Sequence, residues 1–146
     1  MNIGGLLDRE FETTAGPRTV RQMIEGTQPT VFISYPMDFT PVCTKQLCSY
    51  RDNWAEMGNL PVRWWGINQA DPEKHNKFKA QKSLPFELIS DPAGDLLRAL
   101  GMWGMLRTRR GFAVVSPGGE VLGTNTIFPF FYRKHETVAE FVRRYV

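Results

Sequence analysis

Two cysteines, Cys43 and Cys48, are the only thiols in this 146-residue chain, and they lie five residues apart. Two thiols are too few for a disulfide framework or a four-cysteine zinc site. The two histidines, His75 and His135, do not complete a zinc-finger spacing with them. The cysteine pair therefore points to chemistry at sulfur itself: nucleophilic attack by a thiolate, oxidation of the thiol, or disulfide exchange.

The position of Cys43 favours a reactive thiol. Thr40 is suited to cap a helix, and Pro41 is suited to its first position, so Cys43 falls in the first turn. Backbone N–H groups there have no partners within the helix, and the helix dipole is positive. A thiolate is stabilised at such a place, so we expect the pKa of Cys43 to fall. No acid occupies this turn, and Lys45 lies nearby.

A structural role for Cys43 is the alternative. Cys43 also begins an apolar stripe with spacings of four and three residues, which is typical of the buried face of a helix extending to Met57. Cysteine is often only a small core residue. The position of Cys43 leaves both interpretations open.

Cys48 lies too far along the same predicted helix to bond with Cys43 directly. Five residues of α-helix separate two Cα atoms by roughly 8.6 Å, given the helix rise and radius. A disulfide needs Cα atoms within about 7 Å. The spacing therefore predicts a reduced helical state and an oxidised, locally unwound state, unless Cys48 is an incidental half-buried cysteine.

Hydrophobic patterning predicts strands that alternate with helices, and then a hairpin and a closing helix. Such an order predicts βαβ units and a mixed sheet, one layer thick, between helices. Residues 1–29 look irregular, with a short strand near Phe11. The predicted elements are strands at 30–35, 62–67, 86–90, 112–115 and 121–125, and helices at 41–57, 71–81, 95–100 and 138–145.

Composition excludes several other classes. No apolar run of about 18 residues is present, which argues against a membrane span. The amino terminus lacks the basic start of a signal peptide, so we expect a cytoplasmic protein with reduced thiols. The net charge is +3, and the densest basic cluster is Arg107, Arg109 and Arg110. Three arginines without a binding motif are weak grounds for nucleic-acid binding, so we expect no such partner.

The segment Pro36–Cys43, PMDFTPVC, resembles the Pro-x-x-x-Thr-x-x-Cys signature of peroxiredoxins. Its continuation through Cys48 is similar to the bacterioferritin comigratory protein branch, also called peroxiredoxin Q. Members of that branch often carry a second cysteine five residues after the first. Segments 86–92, 100–104 and 110–119 extend the similarity, which runs from about residue 30 to residue 125.

The resemblance implies a thioredoxin-like α/β fold, a single domain over residues 1–146, and reduction of hydroperoxides. It implies that Cys43 is the peroxidatic cysteine and Cys48 the resolving one. Thr40 would hold sulfur and peroxide through its hydroxyl group, and Pro36 would shield the pocket from water. Arg110 would stabilise the thiolate, with Arg109 as the alternative.

The same resemblance implies a hydroperoxide substrate and re-reduction by thioredoxin or a similar dithiol. Sulfur supplies the redox chemistry, so neither a metal nor an organic cofactor is expected. An intramolecular disulfide favours a monomer. A non-enzymatic redox sensor or partner-binding module is the alternative function, with nucleic-acid binding ranked below both.

Several features depart from the branch, among them the three that follow. Only six residues separate Trp103 from Arg110, and Gln46 stands where many relatives carry glutamate. The segment Phe128–Tyr132 is unusually aromatic, which is more often packing than an oligomer contact.

Overall fold

A five-stranded mixed sheet forms the centre of the structure. The computed structural model describes residues 3–36, 38, 41–104, 107–127 and 132–146, and for residues 42, 43 and 107 it describes the backbone alone. The helices are α1 (Val20–Met23), α2 (Pro41–Asp52), α3 (Trp54–Met57), α4 (Pro72–Lys82), α5 (Asp95–Ala99) and α6 (His135–Arg143). The strands are β1 (Glu10–Phe11), β2 (Arg18–Thr19), β3 (Thr30–Ser34), β4 (Arg63–Asn68), β5 (Glu87–Ser90), β6 (Trp103–Gly104), β7 (Arg107–Thr108), β8 (Arg110–Val115) and β9 (Val121–Ile127).

The strands of the central sheet lie in the order β5-β4-β3-β8-β9. Strands β3, β4 and β5 are parallel, while β8 is antiparallel to both β3 and β9. The alternating pattern thus gives the expected parallel βαβ part, and the late hairpin adds the antiparallel strands. The prediction of a mixed sheet is confirmed.

Side chains on the two faces of the sheet enter two separate cores. On β3, Val31 and Ile33 pack with residues of α2, α4 and α6, whereas Phe32 packs with residues of α1 and α5. This alternation is the two-residue period of a strand that is buried on both sides. Helices therefore cover both faces of a single sheet, as the sequence predicts.

The register between β3 and β8 brings two candidate site segments together. Ser34, the last residue of β3, pairs with Gly111 near the start of β8. The Ser34 hydroxyl group donates a hydrogen bond of 2.6 Å to the carbonyl oxygen of Arg109. Pro36 and Arg110 consequently lie at the same edge of the sheet.

The helix predicted from Pro41 to Met57 is wrong in its length. It divides at Asn53, which has φ −110° and ψ 22° and separates α2 from α3. The Asn53 side chain donates a 2.7 Å hydrogen bond to the carbonyl oxygen of Ser49, a local bond that competes with helix continuation.

Other boundaries follow the prediction closely. Helix α4 begins as expected, because the Asp71 side chain accepts a 2.8 Å hydrogen bond from the N–H of Lys74 and Pro72 fills the first position. The region before residue 30 is more regular than predicted. There, β1 pairs with β2, and Thr19 forms a capping box with Gln22 at the start of α1. Within the described ranges, no helix is both long and apolar enough to cross a membrane.

Candidate functional site

Both cysteines lie on α2. Cys43 is its third residue, and no acidic residue occupies the first turn. Cys48 is a free, half-buried thiol further along the same helix. Since α2 is helical from Pro41 to Asp52, helix geometry separates the two Cα atoms by roughly 8.6 Å, beyond the reach of a disulfide. The two sulfurs can bond only if the helix unwinds. Thr40, the expected cap, lies outside the described residues.

Arg110 contacts α2 one turn after Cys43. Its side chain is 2 % exposed, and Nη1 donates a hydrogen bond to Oε1 of Gln46, which is 1 % exposed. Residues three apart on a helix are neighbours on its surface. The guanidinium group of Arg110 is therefore held beside the helix face that carries Cys43.

Tyr50, one turn after Gln46 on α2, is buried next to Arg110 and Gln46. Its hydroxyl group donates a 2.6 Å hydrogen bond to the carbonyl oxygen of Arg133. Burial raises the pKa of Tyr50 above its ordinary value, and the hydrogen bond with Gln46 and the charge of Arg110 oppose that rise without cancelling it. Tyr50 therefore stays neutral, and Arg110 remains the nearby positive charge.

Burial distinguishes the two candidate arginines. Arg109 is exposed, and its side-chain carbons lie over Gly104. Arg110, the next residue, starts β8 and points to the opposite, buried side. The buried hydrogen bond to Gln46 thus places the Arg110 side chain against α2, which favours it as the arginine near the thiol.

Pro36 is half-buried and follows Tyr35, which is fully buried at the end of β3. The structure thus places Pro36 at the same sheet edge as Arg110. From the sequence, Tyr35, Phe39 and Trp103 are candidates either to line an apolar site or only to pack the core, and of these Phe39 lies outside the described residues. Trp103, the third such candidate, packs under the guanidinium group of Arg98 at 4.6 Å and against Gly94.

A buried polar cluster that the sequence did not predict lies beside the loop before Cys43. Asp38 Oδ2 lies 2.8 Å from His75 Nδ1, and both side chains are fully buried. The Asn68 amide group donates a 3.2 Å hydrogen bond to Asp38 Oδ1. One available signal was the spacing of His75 and Phe78, which form the buried side of an otherwise charged α4. The described part of the chain contains no cluster of three or more His, Cys, Asp or Glu residues that could hold a metal ion.

Of the aromatic segment Phe128–Tyr132, only Tyr132 belongs to the described residues, and it is half-buried. The prediction for residues 128–131 lies outside them. The short segment between Trp103 and Arg110 pairs as the hairpin of β6 and β7. Thr108 anchors that hairpin by donating its N–H and hydroxyl group to Gln69 Oε1, each at 3.2 Å.

Comparison with known families identifies the class of protein that this fold and helix define. Residues 8–123 match the AhpC/TSA family, and the chain belongs to that family. Within it, the chain is similar to peroxiredoxins of the Q and Bcp type, as the sequence motifs predict. It is 32% identical over 105 residues to "Peroxiredoxin Q, chloroplastic" of Gentiana triflora, which covers 69% of this chain and 48% of that protein.

A bacterial peroxiredoxin is similar to this chain as well. Over 73 residues the chain is 37% identical to "Peroxiredoxin Bcp" of Bacillus subtilis, which covers 50% of this chain and 46% of that protein. The matched segments thus span about half the length of these curated relatives.

Solved structures confirm the thioredoxin-like peroxiredoxin fold. Peroxiredoxin Q of Xanthomonas campestris superposes with a TM-score of 0.86 at 21% identity, covering 100% of this chain and 97% of that one. A bacterioferritin comigratory protein from the same organism, whose structure concerns its alkyl peroxide reduction activity, gives a TM-score of 0.79 at 22% identity, with 97% and 92% covered.

Proposed function

We propose that the chain is a two-cysteine peroxidase that reduces hydrogen peroxide and alkyl hydroperoxides. Family membership supports the reaction class, and the alkyl peroxide reduction activity of the Xanthomonas campestris relative supports the substrate class. The observation that carries the proposal is the place of Cys43 in the first turn of α2, with Cys48 on the same helix.

Cys43 is the nucleophile of the first step. Its thiolate attacks one oxygen of the peroxide and breaks the O–O bond, giving a sulfenic acid on Cys43. The other oxygen leaves with a proton, as water or as an alcohol. Unpaired N–H groups at the start of α2 favour the thiolate, and the Arg110 guanidinium group, held by Gln46, adds positive charge there.

Thr40 and Pro36 complete the proposed site. The Thr40 hydroxyl group, three residues before Cys43, is assigned to holding sulfur and peroxide oxygen. Pro36, at the sheet edge beside Arg110, is assigned to keeping bulk water away from the pocket. Donors fixed around the oxygens stabilise the charge that develops as the O–O bond breaks.

Cys48 performs the second step. After α2 unwinds, the Cys48 sulfur attacks the sulfenic sulfur of Cys43, which forms the disulfide and releases water. An external dithiol then reduces this disulfide to two thiols and is itself oxidised to a disulfide. We assign that role to thioredoxin or a similar protein. The cycle closes within one chain of one domain, so a monomer suffices, and a reducing compartment such as the cytoplasm sustains it.

A coupled assay tests this function. The protein is mixed with thioredoxin, thioredoxin reductase, NADPH and either hydrogen peroxide or an alkyl hydroperoxide. We expect NADPH consumption by the wild type, none above background for Cys43→Ser, and a sulfenic acid without thioredoxin turnover for Cys48→Ser. Full activity of the Cys43→Ser variant would refute the proposal. Slow peroxide consumption together with oxidation-dependent binding of another protein would favour a redox sensor instead.

A further inference from the structure

Asp38 and His75 form a fully buried contact next to the proposed reaction centre. Asp38 lies in the loop between β3 and α2, five residues before Cys43, and His75 lies on α4. Their side chains are both 0% exposed, and 2.8 Å separates His75 Nδ1 from Asp38 Oδ2. Ionisable side chains are rarely this buried unless they are matched with one another. The mechanism above uses neither residue.

The hydrogen bonds around the ring require a proton between the two groups. His75 Nε2 lies 3.0 Å from the carbonyl oxygen of Ile89, which can only accept, so Nε2 carries a hydrogen. In a neutral imidazole, Nδ1 would then be a bare lone pair facing a carboxylate oxygen. Two acceptors do not remain 2.8 Å apart, so a proton lies on Nδ1 or on Oδ2. Oδ2 has no aligned hydrogen-bond donor among the described residues, the His75 ring included, so the imidazole meets it at contact distance and not in a linear hydrogen bond.

This pair connects the loop to three elements of the fold. Asn68, at the end of β4, donates to Asp38 Oδ1 at 3.2 Å. His75 itself lies on α4 and reaches β5 through Ile89, while the hydroxyl group of Tyr35, the residue after β3, lies 3.4 Å from His75 Nδ1. The loop is therefore fixed at Asp38 to parts of the protein that need not move during the reaction. Because Asp38 lies shortly before the start of α2, the contact between Asp38 and His75 opposes unwinding of this part of the helix.

We propose that Asp38 and His75 are positioning residues that hold the loop before Cys43 in the conformation that attacks peroxide and delay its release for disulfide formation. The inference rests on the proposed peroxidase function. We expect the pair to affect two successive steps, the attack on peroxide and the closure of the disulfide, in opposite directions. Loss of the pair slows the attack of Cys43 on peroxide, because the site is less often assembled. The same loss speeds closure of the disulfide, because unwinding meets less resistance.

Asp38→Leu and His75→Leu test the pair, since each keeps the approximate side-chain volume and removes every polar atom that could rebuild the contact. We expect oxidation of Cys43 by one equivalent of peroxide to slow about tenfold, and closure of the disulfide to speed up several-fold. Both rates are measured by rapid quenching, alkylation and mass spectrometry. The double variant should resemble either single variant, because both remove the same interaction.

Val20→Ala is the matched control, because Val20 is fully buried on α1 in the core on the opposite face of the sheet from α2 and α4, and its truncation lowers global stability without altering the pair. It should leave the two rates nearly unchanged. If the Asp38 and His75 variants slow both steps together, or change neither, the proposal is overturned.

Hydrogen exchange measured without peroxide tests the positioning role of Asp38 and His75 separately from the peroxidase activity on which that role rests. The amides of residues 42–48 should exchange about tenfold faster in the Asp38 and His75 variants than in the wild type, and no faster in Val20→Ala. Faster exchange in a protein that consumes no peroxide would support the positioning role and contradict the peroxidase. Unchanged exchange in an active peroxidase would contradict the positioning role alone.

Discussion

The buried hydrogen bond from Arg110 Nη1 to Gln46 Oε1 joins the start of β8 to α2. Gln46 is three residues after Cys43, so the bond fixes a guanidinium group within one helical turn of the proposed nucleophile. Arg110 and Cys43 are 67 residues apart in sequence. Their proximity depends on the antiparallel pairing of β8 with β3, which places Arg110 at the edge from which the chain passes to α2.

Arg110→Met should slow the oxidation of Cys43 by peroxide about a hundredfold, since it removes one fixed donor and its charge. Arg110→Lys should retain part of the rate, because it keeps the charge and loses the planar fork. The measurement is single-turnover oxidation at fixed pH. Arg109→Met is the matched control, and as an exposed neighbour it should leave the rate unchanged. An equal loss in both methionine variants would contradict the assignment of Arg110.

Gln46→Glu should lower the reactivity of Cys43. The variant keeps the oxygen that accepts from Arg110 and adds a negative charge near the start of α2, which disfavours the thiolate. We expect alkylation of Cys43 in a Cys48→Ser background to slow about tenfold at a pH below the thiol pKa. The rates should converge at high pH, where both thiols are ionised. A difference that persists at high pH would show that the substitution acts through structure and not charge.

Tyr50→Phe should change how stability depends on alkaline pH. Burial raises the pKa of Tyr50 above its ordinary value of 10.0, so the folded protein keeps a proton that the unfolded chain releases. The stability of the wild type therefore falls as pH rises above 10, while the phenylalanine variant has no such proton to lose. At neutral pH the variant should be about 1 kcal/mol less stable, because it lacks the hydrogen bond to Arg133.

Urea unfolding of wild type and Tyr50→Phe at a series of pH values measures this difference. The gap in unfolding free energy should narrow as pH rises above 10. A gap that stays constant would mean that the Tyr50 proton is not bound more tightly in the folded state.

Local sequence signals predicted the elements of this fold well. The Asp71-Pro72 pair predicted the start of α4, and the β-branched run at residues 30–35 predicted β3, because capping and strand propensity act within a few residues. The predicted end of α2 was wrong, because the apolar stripe on which the prediction rested continues into α3. The stripe indicates which side of the helices is buried, but it carries no information about the local hydrogen bond from Asn53 to Ser49.

The residues of the candidate site could be predicted only where a sequence motif included them. Motif similarity selected Arg110, and its burial against Gln46 became visible only in the structure. The contact between Asp38 and His75 could not be predicted, because the residues are 37 positions apart and depend on how α4 packs. Neither side chain has a local pattern that names the other as its partner.

Whether Cys43 and Cys48 react as a pair can be read from the peptides that their disulfide joins. Lys45 lies between the two cysteines, so trypsin places them on separate peptides that only a disulfide can join. The wild-type protein is treated with one equivalent of hydrogen peroxide, alkylated, digested and examined by mass spectrometry. We predict that the joined Cys43–Cys48 peptides become the main form, from protein that remains monomeric on a non-reducing gel. Recovery of both cysteines as alkylated thiols after exposure to peroxide would contradict it.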